Sequence, residues 1–437
     1  MLLAITSCTS EEDDEQHIIE GTLAFNQGSS ANGITVALYP DLSPAALGID
    51  SIRTPFTLTT ATQTTLACLV NDPLLETTTS AEGTFRLEPP GDIEGVLCIL
   101  DTEYIYAILD ASNLPDLDPL LVNSGQTLSG TYDTDVVVLA DIPTRISGDV
   151  VFSATSSLTL EPGARLTFTD AAHIRVEGVL VAEGTEVASV SLLAHPLALD
   201  HTLTFTLFPG SPISMSYLVV AGPVHLSSQL HPLHLNSALF FGADGIAVNQ
   251  SLLTDTLLIE DCIFLDCDTG IKLSDSNPAV IQNSAFLHCE RAVHWNSSQG
   301  VVKESHFYRD SLGILFEGSS TGTIEKNHFQ SCREDISLYS TLFPEISYNE
   351  SRDSRDTFLF IRGGARPTVM FNNILNPEDY LVYIYTASAV EGRVQAQDNF
   401  WDYTDSLLIE EHIRDSLDQQ DLLRVDISGF LYSPVEQ

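Results

Sequence analysis

Apolar and polar residues alternate with period two over short runs through much of the chain. Gly33-Ile34-Thr35-Val36-Ala37-Leu38-Tyr39 alternates this way, and so do Leu158-Thr159-Leu160 and Ile174-Arg175-Val176. Gly or Pro-Gly follows such runs, as at Pro162-Gly163 and Gly178. Period two puts alternate side chains on opposite faces of a strand, and the breakers end it after a few residues. The pattern predicts an all-β chain. Helical spacing stands out near the C-terminus, where Ile409, Ile413 and Leu417 fall at i, i+4 and i+8. It predicts one amphipathic helix there.

A longer period overlies the short one. Phe264, Phe286, Phe307 and Phe329 recur at steps of 22, 21 and 22 residues. Ile259, Ile281, Val302 and Ile324 keep the same steps, as do Gly270, Ala292, Gly313 and Asp335, and Ile271, Val293, Ile314 and Ile336. A unit of about 22 residues cannot bury its apolar face alone. Coiling lays each unit about 4.8 Å above the last, so like residues stack into ladders. Cys262, Ser284, Ser305, Asn327 and Asn349 form an interior small or polar ladder. Cys267, Cys289 and Cys332 form another, interrupted by Asp310. Cysteines so placed are expected to serve as small buried hydrophobes.

The runs Leu158 to Phe168 and Ile174 to Thr185, with the later ladders, resemble a right-handed parallel β-helix of the pectate-lyase-like kind. Ahead of them, Gly21-Thr22-Leu23, the run from Gly33 to Tyr39, and Thr77 to Leu87 followed by Pro89-Pro90-Gly91 resemble a carboxypeptidase-regulatory-like, transthyretin-type β-sandwich. At the other end, Asn399-Phe400-Trp401, the helical stretch, and Val425 to Pro434 resemble the tail of bacterial secreted β-helix proteins, except that Asp402 stands where that pattern has Gly. The expected organisation is a leader remnant and tether at 1–16, a sandwich at 17–110, a linker at 111–144, the β-helix at 145–400 and a cap at 401–437.

Ile5-Thr6-Ser7-Cys8 resembles a bacterial lipobox, which makes Cys8 the lipidation site. The acidic Glu11 to Glu15 after it resembles the export signal of surface lipoproteins of Bacteroidota. The resemblance implies an outer-membrane lipoprotein, exposed at the cell surface and held by its lipid alone. Cys68 and Cys98 both lie in the sandwich and can pair as a disulfide outside the cytosol.

Charge removes whole classes of function. Sixty Asp and Glu face 18 Lys and Arg, a net charge of −42. That field repels phosphate backbones and anionic bilayers, so nucleic acid is not an expected partner. The remaining partners are a polysaccharide or a surface protein. No nucleophile elbow, phosphate loop or dinucleotide fingerprint occurs. Calcium suits so acidic a surface, but no D-x-D-x-D-G loop is present, and no cofactor is expected.

Candidate chemistry is sparse. Asp266, His288 and Arg309 share one repeat position on three successive coils, where a carboxylate, an imidazole and a guanidinium could bind a uronate and move a proton. His306 and His328 stack just before the Phe ladder. Arg352, Arg355, Arg362 and Arg366 cluster in sequence and are candidate ligands for an acidic sugar, with Tyr339, Tyr348, Tyr380, Tyr383, Tyr385 and Trp401 nearby for ring stacking. Lys272, Lys303 and Lys326 occupy three different repeat positions and so do not converge. The expected function is a non-catalytic envelope scaffold that presents a face to glycan or protein. The alternative is a polysaccharide lyase, epimerase or hydrolase.

Overall fold

The computed structural model describes residues 19–26, 32–42, 63, 66–68, 72–89, 95–111, 121–169, 171–195, 203–207, 213–222, 224–228, 233–242, 245–249, 256–275, 278–339, 343–386 and 392–436. Cys8 and the acidic tether lie outside them. The described chain falls into two compact units.

In the first unit, four antiparallel strands lie in the order Leu75–Thr78, Thr35–Pro40, Gly95–Leu100, Ile105–Asp110. Ile19–Thr22 pairs with Thr84–Leu87 in a separate two-stranded sheet. The turn at Gly83, with φ of +80°, therefore carries the chain from one sheet to the other. Val36, Leu38, Phe85, Leu87, Leu97 and Ile99 close the core between them. The same unit holds the first parallel coils. Thr144–Phe152 runs beside Gln126–Tyr132, and Ser157–Leu160 runs beside Val179–Glu183. Arg145 pairs with Glu103 at 2.7 Å, and the Tyr104 hydroxyl lies 2.8 Å from that of Thr127. These contacts tie the antiparallel strands to the first coil.

The second unit is a stack of parallel coils with three strands to a turn. Ala279–Gln282, Ala285–Leu287 and Arg291–Asn296 make one coil; Gln299–Lys303, His306–Tyr308 and Leu312–Glu317 make the next. Their register pairs Ile281 with Val302, Phe286 with Phe307 and Val293 with Ile314, the steps read from the sequence. Inside, Phe240, Phe264, Phe286, Phe307 and Phe329 form a ring stack with centroids 4.7 to 5.0 Å apart. The polar ladder runs on past Asn349 to Asn372 and Asn399. Each Asn side chain accepts from the backbone amide of the coil before it and donates to a carbonyl: Asn327 N–H bonds Asn349 Oδ1 at 3.0 Å, and Asn349 Nδ2 donates to Ile324 O at 2.9 Å. Buried amides are thus satisfied at the corners, where strand ladders cannot reach.

The coils turn at residues in left-handed backbone conformation, a region open to Gly and tolerated by Asp and Asn. Asp266, His288, Arg309, Ser331 and Asp353 occupy one such corner, with φ between +52° and +56°. Asp402 has φ of +60°, so the position where the tail pattern has Gly keeps the glycine-like geometry.

The cap differs from the periodicity. The helix spans only Ser406–Glu411, with the Asp405 side chain accepting from the Leu407 amide at 2.9 Å. Ile413 leaves it and joins the ladder beside Val382, and Leu417 is 65% exposed. The buried Asp415 carboxylate explains the break. It collects the Leu417 and Val425 amides and the Arg424 guanidinium at 2.7 to 2.9 Å, a set of donors that a continuing helix would withhold.

Candidate functional site

Five successive strands of one sheet in the second unit build an outward-facing groove: Arg291–Asn296, Leu312–Glu317, Glu334–Tyr339, Thr357–Arg362 and Tyr380–Thr386. Register stacks Asn296 on Glu317 and Tyr339 on Arg362. Up to Ile361 the next strand follows evenly, since Ile361 pairs with Ile384. Arg362 then pairs with Thr386, which leaves Tyr385 as an inserted residue. A bulge of this kind re-aims a side chain. Tyr385 is 50% exposed, and its ring stands 6.2 Å from that of Phe360. Phe360 stacks in turn on Tyr383 at 5.6 Å, nearly parallel, and the Arg414 guanidinium covers Tyr383 at 4.7 Å.

Arg362 sits between two rings, 5.7 Å from Tyr339 and 5.8 Å from Tyr385. No carboxylate lies within ion-pair distance of it among the described residues. Arg362 and Tyr339, with Asn296, Glu317, Gly318, Gly363 and Thr386, line a cavity of about 470 Å³, and Tyr385, next to Thr386 in the chain, stands beside Arg362. His294 Nε2 lies 3.0 Å from Glu317 Oε2. Burial depresses the His294 pKa, so the imidazole is neutral at neutral pH, and its buried Nδ1 has no hydrogen-bond partner. Burial also raises the Tyr339 hydroxyl, which keeps it a donor. The groove therefore offers flat apolar faces, one unpaired cation and several polar edges.

A second cavity, also of about 470 Å³, lies at the turns that precede these strands. His288, Arg309, Ser331, Arg355 and Glu378 line it. Of the column Asp266, His288 and Arg309, the structure joins the first two, with His288 Nδ1 3.4 Å from Asp266 Oδ1. Arg309 instead covers the ring of Tyr308 at 5.0 Å.

The four clustered arginines do not converge. Arg352 pairs with Glu350 at 3.3 Å, Arg355 joins Arg309 at the second cavity, and Arg362 lies in the groove. The Arg366 Nε is buried, against Gly392. Of the aromatic candidates, Tyr339, Tyr383 and Tyr385 join the groove, and Tyr380 packs edge-on to Tyr383. Tyr348 stacks elsewhere on Phe371, and Trp401 is fully buried. Phe360, His294 and Glu317 gave no signal in the sequence. The bulge is likewise a matter of register: the step is 23 residues from Ile361 to Ile384 but 24 from Arg362 to Thr386.

The His306 and His328 rings lie 5.5 Å apart, tilted by 57°, and burial beside His328 lowers the His306 pKa to about 4. Cys68 and Cys98 are buried free thiols, and burial, with Cys98 close by, raises the Cys68 pKa well above the ordinary cysteine range. The Cys267, Cys289 and Cys332 thiols are buried, and burial raises those of Cys289 and Cys332 well above the ordinary cysteine range. Among the described residues, no group of three or more His, Cys, Asp or Glu is placed to hold a metal ion. No helix among them is long and apolar enough to cross a membrane.

Comparison with protein families matches residues 244–399 to a right-handed β-helix region. No curated protein and no solved structure matches the chain. The stacked coils that carry both cavities thus form a right-handed β-helix region.

Proposed function

We propose that this chain is a non-catalytic β-helix scaffold of the cell envelope that holds a glycan along the aromatic groove. The observation that carries the reading is Tyr385, which a bulge swings out beside Phe360 and Arg362. Aromatic faces cover the apolar faces of sugar rings, while Arg362, Asn296 and Thr386 supply donors at their edges. A sheet fixes the backbone beneath these groups, which lowers the ordering cost at binding. Cys8 supplies the lipid anchor in this reading, and intact-mass measurement of the native protein should find two or more acyl chains on that residue.

A panel of neutral and acidic polysaccharides in affinity electrophoresis tests the groove. Retardation by at least one glycan is expected, with Tyr385→Ala and Arg362→Ala each weakening it by about tenfold, the equivalent of roughly 1.4 kcal/mol. Binding that is untouched by both changes would remove the groove from the function. No reducing ends or unsaturated uronates should be released. The His294–Glu317 contact favours a second reading, a polysaccharide-active enzyme, because a neutral imidazole beside a carboxylate can exchange a proton with substrate. Product release that disappears in Glu317→Gln would establish that reading instead.

A further inference from the structure

The second cavity has a chemistry of its own, independent of the groove. We propose that it binds a tetrahedral oxyanion of the sulfate or phosphate ester class. His288, Arg309 and Ser331 come from the same corner of three successive coils, and Arg355 from the coil after. Their left-handed backbone lies at the turn, and the Arg309 and Ser331 amides are spent on the carbonyls of Gln330 and Arg352. Recognition there falls to side chains.

The charges are the unusual feature. Acidic residues outnumber basic ones 60 to 18, and several arginines have found a carboxylate: Arg86, Arg175, Arg333, Arg352 and Arg424 all have one within 4 Å. Arg309 and Arg355 line one cavity, and neither has such a partner among the described residues. Two guanidinium groups facing one space repel each other unless an anion lies between them. Arg309 is already held over Tyr308, so one of the donors is preset; His288, whose Nδ1 faces Asp266, adds a donor from Nε2 only as imidazolium. Two forked guanidinium groups, the Ser331 hydroxyl and an imidazole arrive from different coils. A carboxylate presents two oxygens in one plane and cannot meet all of them. A tetrahedral anion presents oxygens in several directions. Glu378 lines the cavity too and opposes any anion, which sets the affinity in the weak range.

Calorimetric titration of the full chain with inorganic sulfate, and separately with phosphate, tests the site; acetate and chloride serve as controls. Saturable binding of sulfate, phosphate or both is expected, and comparison of the two arms tells which ester class fits. Arg309→Ala and Arg355→Ala should each weaken it at least about tenfold. Glu378→Gln should tighten it, and Arg352→Ala should leave it unchanged. Circular dichroism checks that each variant keeps its β structure. No saturable binding of either anion, equal binding of acetate, or full binding in the Arg309→Ala/Arg355→Ala double variant would overturn the proposal.

Discussion

Asp335 stands in the interior column begun by Gly270, Ala292 and Gly313, where a carboxylate is out of place. It is fully buried; Ser351 and Ser354 donate to its Oδ2, and Oδ1 has no partner. Burial lifts its pKa to about 7 and lifts that of buried Asp310 in the same direction, with Asp335 adding to the latter. A carboxyl whose folded pKa is raised holds its proton in the native state while the unfolded chain has lost it. It therefore favours folding below the ordinary carboxylate pKa, and that contribution drains away as pH rises through about 7. The span of roughly three units is on the order of 4 kcal/mol. Urea unfolding at several pH values should show Asp335→Asn losing much less stability between about pH 4 and 7 than the unaltered chain. Parallel curves would show that Asp335 does not titrate in this range. Cys68 and Cys98 make a second prediction at this scale. Their proximity suits a disulfide: oxidation by a disulfide donor should join them, and a peptide map after alkylation should recover the linked pair. Recovery of both as alkylated thiols would contradict it.

Ladders set the stability of the elements. Phe307 is stacked between Phe286 and Phe329 at 5.0 and 4.7 Å and is almost wholly buried. Phe307→Ala empties the middle of that stack and should cost about 3–5 kcal/mol in equilibrium unfolding. The Asn ladder is held by hydrogen bonds instead. Asn349→Ala would strip Asn327 of the acceptor for its buried amide and leave Ile324 O without its side-chain donor. A loss of about 2–4 kcal/mol is expected, because unmet buried polar groups cost more than the bonds contribute. If Asn349→Ala proved neutral while Phe307→Ala did not, the corners would be stabilised by backbone ladders alone.

Charge acts on the molecule as a whole. A net −42 on one chain repels itself in the compact state, and salt screens that repulsion. Raising ionic strength from about 0.01 to about 0.15 M shortens the screening length from about 30 to about 8 Å. The urea midpoint should rise over that interval. A midpoint that falls would mean that local ion pairs such as Arg424 with Asp415, and Arg145 with Glu103, outweigh the global repulsion. The same field sets the requirement on any anionic ligand: it must be met by guanidinium groups with no carboxylate of their own, a condition satisfied by Arg309, Arg355 and Arg362, which line the two cavities.

The β-helix and its register were legible in the residues alone, since stacking coils turns a step of 21 or 22 residues into a physical neighbour. Phe286 on Phe307 and Asn327 on Asn349 follow from arithmetic alone. The same arithmetic also put Asp266, His288 and Arg309 in one column, yet it could not say that the column lies at a left-handed corner where Arg309 turns to Tyr308. The cap misled it, because period 3.6 says nothing of the donors Asp415 demands. The groove was decided by tertiary structure. Arg355 and Arg362 are seven residues apart in sequence yet line different cavities, and one inserted residue at Tyr385 moved a ring from a ladder to the surface. Periodicity specifies which residues are neighbours. Which way a side chain leaves the ladder depends on local backbone geometry, and only the folded chain displays that.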